Sequence, residues 1–505
     1  MTPPQSSLVN RPTLFLHISL LAVVCLGALL RFWRLGDLSL VGDESYFWLW
    51  SQHMAWTYLD HPGGVAWLIG LSTWLGGGSE WGVRWLNALL GSLSILLAYG
   101  AARRLATPTA GLAAAAILAT APPDVLTSRF VYTDTLPIFL LLCNLNLLLP
   151  VLLSPHLPAS IGAPAETPSA GSVGRWLLIG ANWLLLLNTK LSVYPYFLGL
   201  AIGALVWRRD LLRRRQPWLA VAIASLGSVP FLAWNARHEW AGLAWMWQQF
   251  TQGTVRARGI LAIVHHILGY FTFWPLLLLA PGYLLARRAP ARWLALPSLL
   301  MVLPVALSPA NSPRNLLVGL APALALAGAW WTGEGRARRW RLGMLLVALA
   351  AATLASIGTA RALLAPSALP QSSVAAAIRE DAAGWRALGR RLATEEGLLF
   401  TVDYSVASQL WYYSGRPVYS SWGQYLLWGL PDFDEAVVVA QEYAPPARVD
   451  AELRQIFEEV SGPQRERLTE YGASKIVYLW KGRGLRVDKA EFARRLDFFA
   501  LSTNE

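Results

Sequence analysis

The chain has 505 residues, of which 55% are hydrophobic and only 14% are charged, and it contains 26 tryptophans. This balance is far from that of a soluble protein and predicts a polytopic α-helical membrane protein. The net charge of +12 does not indicate nucleic acid binding, because the arginines form short clusters between apolar runs instead of one basic face. Cys25 and Cys143 both lie in apolar runs, which excludes a disulfide framework and a cysteine metal cluster.

Eleven apolar runs approach the roughly 20 residues that a membrane-spanning helix needs. They fall near residues 13–30, 82–102, 109–127, 135–153, 174–189, 191–207, 217–235, 259–285, 293–308, 316–332 and 342–363. The segment 175–208 is long for one helix and short for two. Arginines at both of its ends favour a hairpin of two short helices, with Lys190 at or near the turn.

The loops that connect these runs alternate in charge. One set holds sixteen basic and three acidic residues, whereas the other holds about as many acids as bases. The positive-inside rule places the first set in the cytoplasm. The first outer loop, about residues 31–81, and the chain beyond the eleventh run then face outward.

After about residue 364 the composition becomes that of a soluble domain. The stretches "GLLFTVD", "EAVVVAQ" and "ASKIVYLW" indicate strands, and "YSVASQLWYYSG" and "ARVDAELRQIFEEV" indicate amphipathic helices. We therefore predict two domains, a membrane module over residues 1–363 and a small α/β extracytoplasmic domain over residues 364–505.

The first outer loop contains "LVGDESYFWLWSQHMAWTYLDHPGG", where two acids precede a run of aromatic residues. In one interpretation Asp43 caps an interfacial helix, Glu44 lies in its first turn, and aromatic residues such as Tyr46 form a membrane-interface belt. In the other, the loop folds against the bilayer and offers a carboxylate to a substrate. Both can hold, since a cap fixes the position of a carboxylate.

Other ionisable residues lie at the outer ends of apolar runs. Asp134 in "SRFVYTDTLP" is either a helix cap or a second carboxylate of a pocket. Lys190 lies between two apolar stretches, where an unpaired ammonium is costly, so either a lipid phosphate or Asp134 is its partner. His265 and His266 could bind a metal ion, but adjacent residues of a helix point in different directions, so a packing role is favoured.

Five stretches resemble a known family in order and spacing: "VGDESYFWLWSQHMAWTYLDHPGGVAWLIGL", "SEWGVRWLNALLG", "RFVYTDTLPIFLLL", "LLLLNTKLSVYPYFLGL" and "FLAWNARHEWAGL". The family is that of the bacterial membrane glycosyltransferases of the dolichyl-phosphate-mannose protein mannosyltransferase type. These enzymes have the GT-C fold and include the aminoarabinose transferases that modify lipid A. The resemblance covers residues 30 to about 330, and "VDYSVASQLWYY" resembles the outer domain of this group.

This resemblance implies roles for several residues. Asp43 would be a catalytic carboxylate and Asp134 the second carboxylate of the outer loops. Lys190 and His61 would hold the lipid phosphate. The enzyme would lie in the bacterial cytoplasmic membrane, with its site and its C-terminal domain facing the periplasm.

The resemblance also links Asp60 to a divalent metal ion, so Asp60 and His265 are the candidate metal ligands, although the reaction itself requires no cofactor. This chain departs from the family at two positions. It has Gly63 where many relatives have a second proline, and Gln409 where many have an acid. Both departures concern fine substrate contacts more than the class of reaction.

The chemistry points to a donor that arrives through the membrane. No phosphate-binding glycine loop and no cytosolic domain for a nucleotide sugar is visible, so we expect a polyprenyl-phosphate sugar and an acceptor hydroxyl on a glycolipid, polysaccharide or protein. Asp43 would deprotonate this hydroxyl, and Lys190 would stabilise the departing phosphate, in an inverting transfer. The candidate substrate-binding residues are Glu44, Tyr46, Asp60, His61, Arg129, Lys190 and Arg314.

A secondary transporter or flippase of lipid-linked or sugar substrates is the main alternative. It predicts polar or broken helices at the membrane midplane, whereas the acids of this chain lie in outer loops. A membrane-anchored sensor is the second alternative, and it leaves Lys190 and the acids of the first loop unexplained.

Overall fold

The computed structural model describes residues 11–154, 172–251, 278–288, 290–307, 314–365 and 374–497. Most of the described chain before residue 366 is helical. Its helices are α1 (Arg11–Phe32), α2 (Gly42–Gln52), α3 (Gly64–Gly76), α4 (Glu80–Leu105), α5 (Pro108–Thr120), α6 (Pro122–Arg129), α7 (Thr135–Leu153), α8 (Val173–Leu187), α9 (Tyr194–Trp207), α10 (Arg209–Leu212), α11 (Arg215–Arg237), α12 (Ala241–Thr251), α13 (Arg292–Leu307), α14 (Arg314–Leu320), α15 (Ala323–Thr332) and α16 (Arg338–Leu364). Two 3₁₀ segments cover Leu191–Val193 and Ala280–Arg287.

Within the described residues, five helices are long and apolar enough to cross a membrane, namely α1, α4, α7, α11 and α16. The pair α5 and α6, bent by 59°, makes a sixth if it forms one span. Other apolar segments form shorter helices of 10–17 residues: Gly64–Gly76, Val173–Leu187, Leu191–Trp207 and Arg292–Pro304.

The eleven predicted spans are therefore not confirmed. At 1.5 Å per residue, the shorter helices do not reach across an apolar bilayer core of roughly 30 Å. Apolar runs in the sequence also include the turns at their ends, so they overstate helix length. The predicted run 259–285 lies mostly outside the described residues, and α3 is an apolar helix inside what the sequence predicted to be an outer loop.

The segment 175–208 forms two helices, α8 and α9, as predicted. Lys190 in the turn between them binds Asp134, just before α7. At the far end of α9, Arg208 donates to the carbonyl oxygen of Val151, near the end of α7. Because α9 leaves the turn at which α8 ends and runs alongside α7, the predicted hairpin is confirmed.

A buried ion pair stabilises the bend between α5 and α6. Arg31 of α1 binds Asp124 of α6 and also donates to the carbonyl oxygens of Leu118 and Ala119. A helix end leaves such carbonyls without partners in the helix. The guanidinium therefore supplies the donors that the break in the helix requires.

Residues 374–497 form an α/β region. Its elements are α17 (Val374–Ala382), α18 (Trp385–Leu392), β1 (Leu398–Thr401), α19 (Tyr404–Ser414), β2 (Val418–Ser420), α20 (Gly423–Trp428), β3 (Glu435–Gln441), α21 (Pro446–Ile456), β4 (Phe457–Glu470), β5 (Ala473–Leu485) and α22 (Lys489–Arg495). The strand order is β2-β1-β3-β5-β4. β1, β2 and β3 are parallel, whereas β5 is antiparallel to β3 and β4. The predicted strands β1, β3 and β5 are present.

One predicted helix of this region is present but ends earlier than expected. The helix expected over residues 447–460 ends at Ile456, and residues from Phe457 onward form β4. Most side chains of β4 are exposed, so the strand carries no apolar alternation that a sequence pattern could reveal. Tyr471 and Gly472, with φ of 54° and 67°, make the two-residue turn to β5, a conformation typical of tight hairpins.

The first outer loop shares a hydrophobic core with the α/β region. Tyr46 and Trp50 of α2 belong to one buried cluster together with Trp385 and Leu399 of that region. At the tip of the β4–β5 hairpin, the hydroxyl of Tyr471 accepts the N–H of Ser39 at 3.0 Å. The segment that carries the predicted catalytic residue Asp43 is therefore enclosed by residues from the other end of the chain.

Candidate active site

The loop before α2 is held by Arg84 of α4. Its buried guanidinium donates to three carbonyl oxygens within residues 35–39, at distances between 2.7 and 3.0 Å. It also forms two hydrogen bonds to Glu44, of 2.8 and 2.6 Å. A bidentate guanidinium–carboxylate pair restricts both partners to one geometry. Arg84 therefore fixes the first turn of α2 against α4.

Glu44 is fully buried, and protein groups contact both of its carboxylate oxygens. Besides Arg84, the N–H groups of Val131 and Val41 donate to it at 3.1 and 3.4 Å. These contacts give Glu44 a structural role. Substrate binding by Glu44 stays a prediction that no described contact favours.

Asp43 lies in the first turn of α2, whose N-cap is Val41. The interpretation in which Asp43 caps this helix is therefore wrong. The helix begins one residue earlier, at Gly42, and the N–H of Gly42 is bound by a side chain of the α/β region. Asp43 is partly exposed, and the hydroxyl of Tyr404 donates to its Oδ1 at 3.1 Å. Its carboxylate thus faces the boundary between the first loop and α19.

Asp134 and Lys190 form a buried ion pair. Nζ of Lys190 lies 2.6 Å from Oδ1 of Asp134, and the two side chains are 10% and 1% exposed. Asp134 precedes α7, and Lys190 lies in the turn that joins α8 to α9. The sequence allowed two partners for Lys190, a lipid phosphate or Asp134. The structure shows the contact with Asp134.

Asp60 and His61 lie in a tight loop between α2 and α3. The N–H of Tyr58 donates to the carbonyl oxygen of His61 at 2.9 Å. The N–H of Gly63 donates to the carbonyl oxygen of Trp56 at 2.8 Å. The proline that many members of the similar family have at this position could not form this bond, because it has no N–H. The departure at Gly63 therefore supplies a donor that closes this loop.

The same loop is tied to the Lys190 turn. The N–H of Gly64 donates to the carbonyl oxygen of Asn188 at 2.8 Å. A Cβ atom at Gly64 would lie only 2.6 Å from that oxygen, so glycine allows this close approach. The charges of Lys190, Asp134 and Asp43 all act on His61. The structure therefore brings these predicted residues together.

Burial changes the protonation of both residues of this loop. It raises the pKa of Asp60 to about 7, and the neighbouring carboxylate of Asp43 adds to the increase. Burial also lowers the pKa of His61 to about 4, and the charge of Lys190 contributes. Nδ1 of His61 faces the carbonyl oxygen of Asp60, which assigns the proton of the neutral ring to Nδ1. At neutral pH His61 is thus uncharged and Asp60 is partly protonated.

Aromatic side chains from distant parts of the chain enclose the site. Tyr46 is buried, and its hydroxyl accepts from Nε1 of Trp422 at 3.1 Å. Its ring packs edge-on against Tyr404, with the centroids 4.8 Å apart, and lies nearly parallel to that of Tyr425. Burial raises the pKa of Tyr46 well above its usual value, and the charge of Asp60 contributes. Tyr46 thus forms a wall of the site.

Four residues of the α/β region that the sequence did not predict reach this site: Asp381, Tyr404, Trp422 and Gln424. Oε1 of Gln424 accepts the N–H of Leu59 at 2.7 Å. Gln409 donates from Nε2 to the carbonyl oxygens of Leu40 and Asp381, which an ionised acid could not do. The one sequence signal for these contacts was the stretch "VDYSVASQLWYY".

Three other predicted residues lie elsewhere or outside the described part. Arg129 is buried and donates to the carbonyl oxygen of Leu30 at 2.9 Å, at the end of α1. This contact gives Arg129 an anchoring role. The side chain of Arg314 and the whole of His265 lie outside the described residues, so their roles stay predictions.

The divalent ion that the resemblance implies does not fit the residues that the structure describes. Among them, no group of three His, Cys, Asp or Glu side chains could hold a metal ion. Oδ1 of Asp60 is buried and has no hydrogen-bond partner in the same residues, and Asp43 is its carboxylate neighbour. Two carboxylates are fewer ligands than a divalent ion takes from a dedicated site. His265, the other candidate ligand, lies outside the described residues, so a metal ion bound by Asp60 and His265 stays a prediction.

An apolar cavity of about 480 Å³ lies between α7, α8, α9 and α11. At one end it is lined by Leu187 and Tyr194, which flank the Lys190 turn in sequence, and at the other by Leu212 and Trp218. The cavity therefore extends along the helical bundle from the two ends of the Lys190 turn.

Two sequence comparisons identify relatives. Residues 60–234 match the family described as dolichyl-phosphate-mannose-protein mannosyltransferase. Over 198 residues, or 39% of the chain, the sequence is 28% identical to the lipid A galacturonosyltransferase RgtD of Rhizobium johnstonii. The match spans only 38% of that protein.

Solved structures share the fold. ArnT from Cupriavidus metallidurans, bound to undecaprenyl phosphate, matches with a TM-score of 0.62 and 19% identity over 93% of this chain and 98% of that chain. The oligosaccharyltransferase AglB from Archaeoglobus fulgidus, bound to an inhibitory peptide and a dolichol-phosphate, matches with a TM-score of 0.53 and 10% identity over 85% and 70%. The chain shares its fold with these two membrane proteins. The predicted resemblance to the mannosyltransferase and aminoarabinose transferase type is confirmed.

We expect Arg84→Met to lower the free energy of unfolding by about 3–5 kcal/mol, because it leaves the carboxylate of Glu44 buried and unpaired. The double change Arg84→Met with Glu44→Leu should recover most of the loss. Thermal unfolding in detergent measures both. Arg34→Met, which breaks an exposed pair, is the control and should change little. An unchanged melting temperature of Arg84→Met would contradict the anchoring role.

We expect Lys190→Met to lower stability by a few kcal/mol, since Asp134 then lacks its buried cation, and the double change Lys190→Met with Asp134→Leu to restore it. Thermal unfolding with and without undecaprenyl phosphate separates this role from lipid binding. If Lys190 also binds the donor, the lipid should stabilise neither variant as much as the wild type. Equal stabilisation of all three proteins would rule out a donor contact.

Proposed function

We propose that the chain is a glycosyltransferase that moves a sugar from a polyprenyl-phosphate donor to an acceptor hydroxyl at the membrane surface. The observation that carries this proposal is the meeting of Asp43, Asp60, His61 and Lys190 at one end of the helical bundle, beside an apolar cavity. This reaction needs a carboxylate base, a cation that stabilises the phosphate, and a space for the lipid chain.

Asp43 acts as the general base. It accepts the proton of the acceptor hydroxyl while the hydroxyl oxygen bonds to the anomeric carbon of the sugar. The bond between that carbon and the phosphate oxygen breaks, and its electron pair leaves with the phosphate. Attack opposite the leaving group inverts the anomeric centre. The hydrogen bond from Tyr404 orients the Asp43 carboxylate for this step.

Lys190 and His61 stabilise the departing phosphate. In the empty site, Asp134 keeps the ammonium of Lys190 charged within an apolar environment. A phosphate that enters beside this pair shares the ammonium. Its negative charge also raises the pKa of the neighbouring His61, because nearby anions favour the protonated ring. The protonated fraction of Asp60 can donate a hydrogen bond to the phosphate or the sugar.

The apolar cavity accommodates part of the isoprenoid chain of the donor. Its position beside the Lys190 turn supports this assignment, since the chain and the phosphate belong to one molecule. Burial of each CH₂ group contributes about 0.8 kcal/mol. The crystal structure of the similarly folded ArnT with undecaprenyl phosphate supports a donor of this class.

The acceptor is a hydroxyl of an envelope glycolipid. The partial match to a lipid A galacturonosyltransferase favours this choice over a polysaccharide or a protein. The site and the α/β region face the periplasm from the bacterial cytoplasmic membrane, as the charge asymmetry of the loops supports. Mass spectrometry of lipid A, envelope polysaccharide and exported proteins from a deletion strain would identify the modified acceptor.

We expect Asp43→Asn to lower the transfer rate by at least about 100-fold, because an amide cannot accept the proton. Undecaprenyl phosphate should still raise the melting temperature of this variant as it does for the wild type. The assay supplies purified protein with a lipid extract of the deletion strain, which contains donor and unmodified acceptor. Asp37→Asn, in the same loop but exposed, is the matched control. Near-normal turnover by Asp43→Asn would refute the base role.

We expect a cysteine at the exposed position Ser461 to react with an impermeant thiol reagent in intact spheroplasts. A cysteine at Ala337, in the exposed connection between α15 and α16, should react only after lysis. Cys25 and Cys143 are first replaced to remove background labelling. The reverse pattern would place the α/β region in the cytoplasm and overturn the proposed orientation.

A further inference from the structure

The N-cap residue of the helix that carries Asp43 offers no side-chain acceptor to the first amides of that helix. Its N-cap is Val41, which has no side-chain acceptor, although the first amides of a helix have no partners within the helix. Oδ2 of Asp381 accepts the N–H of Gly42 at 2.8 Å, across 339 positions of the chain. A Cβ atom at Gly42 would lie 2.7 Å from Cβ of Ser405. The start of α2 is therefore enclosed and capped by the α/β region.

The main chain of Asp381 is held by three donors. Its carbonyl oxygen accepts from Nε1 of Trp385 and Nζ of Lys475, both at 2.7 Å, and from Nε2 of Gln409 at 3.1 Å. These groups belong to α18, β5 and α19. Because the end of α17 is fixed in this way, the carboxylate of Asp381 holds the Gly42 amide at a defined place.

Four titratable groups surround Asp381: Asp43 of α2, Lys475 of β5, Asp403 at the start of α19, and Tyr443, which binds Asp403. Burial raises the pKa of Asp381 to about 6. The carboxylates of Asp43 and Asp403 add to the increase, whereas the helix amide and Lys475 oppose it. Asp381 is thus ionised above about pH 6 and neutral below it. The ionised form is the stronger acceptor for an amide.

We propose that Asp381 is a positioning residue of the transferase. It fixes the first turn of α2 through the amide of Gly42 and so sets the place of the Asp43 carboxylate one residue further on. This inference rests on the proposed role of Asp43 as the base. It assigns the α/β region a part in catalysis, since that region supplies the cap of the catalytic helix.

The test compares Asp381→Ala, which removes the acceptor, with Asp381→Asn, which keeps a weaker acceptor oxygen. Displacing a catalytic group by about 1 Å can cost 10²-fold in rate, so we expect kcat to fall about 30- to 100-fold in the alanine variant and about 3- to 10-fold in the asparagine variant. KM for the donor should not change, because Asp381 does not contact it. Glu380→Gln, an exposed neighbour on the same helix, is the control and should keep the wild-type kcat.

The pH dependence supplies a readout that a purely structural role would not move. Titrating groups that do not interact with Asp381 affect wild type and Asp381→Asn alike, so the ratio of their kcat values reports Asp381 and its effect on the charged neighbours named above. This ratio should be constant above about pH 7 and approach one below about pH 6, where the wild-type carboxyl is neutral like the amide. A ratio that does not vary with pH would overturn the inference, even if the alanine variant fails to fold.

Wild-type kcat in Asp381→Ala would overturn the inference as well. The inference would also be overturned if the two variants lost the same fraction of kcat and the same number of degrees in melting temperature. Such a result would reflect unfolding alone. Asp43→Asn in the same assay distinguishes the two proposals. If Asp43→Asn is inactive while Asp381→Ala is normal, only the positioning role fails, whereas an active Asp43→Asn removes the proposed base itself.

Discussion

The whole candidate site depends on one buried guanidinium, that of Arg84. It binds the carbonyl oxygens of the loop before α2, and it pairs with Glu44 inside that helix. Glu44 in turn accepts the N–H of Val131, in the segment that leads to Asp134. A single side chain of α4 thus connects the two segments that carry the outer carboxylates. Its removal would free both segments at once, since a buried partner would lose its counter-charge.

Three buried ion pairs occur in the described helical part of the chain: Arg31 with Asp124, Arg84 with Glu44, and Lys190 with Asp134. In the first two, backbone carbonyls or amides form further hydrogen bonds to the charged groups. The third lies beside the loop of Asp60 and His61, and Leu187 and Tyr194, which flank its Lys190 turn, line the apolar cavity. Under the proposed function, a lipid phosphate competes with Asp134 for the ammonium of Lys190, so this pair would bind substrate whereas the other two pairs hold structure.

Local patterns predicted what local forces determine. Apolar runs located most of the helices, and arginines at both ends of the segment 175–208 predicted the hairpin around Lys190. Span lengths were overestimated because hydropathy does not mark where a helix ends. The contacts of Asp381 and Tyr404 with α2 could not be predicted, because they join positions more than 330 residues apart and no local pattern records such a pairing. Glu44 shows the same limit of sequence analysis. It stands beside Asp43 in the sequence, but Glu44 is buried whereas Asp43 is partly exposed.

The charges of the candidate site fit a donor that brings its own negative charge. Lys190 is paired with Asp134, and His61, with a pKa of about 4, is uncharged at neutral pH. An unpaired cation at the end of an apolar bundle would cost several kcal/mol, so near-neutrality stabilises the protein without substrate. Under the proposed function, the donor phosphate raises the pKa of His61 because a nearby anion favours the protonated ring. Positive charge then develops only in the complex, where it assists departure of the phosphate without destabilising the empty protein.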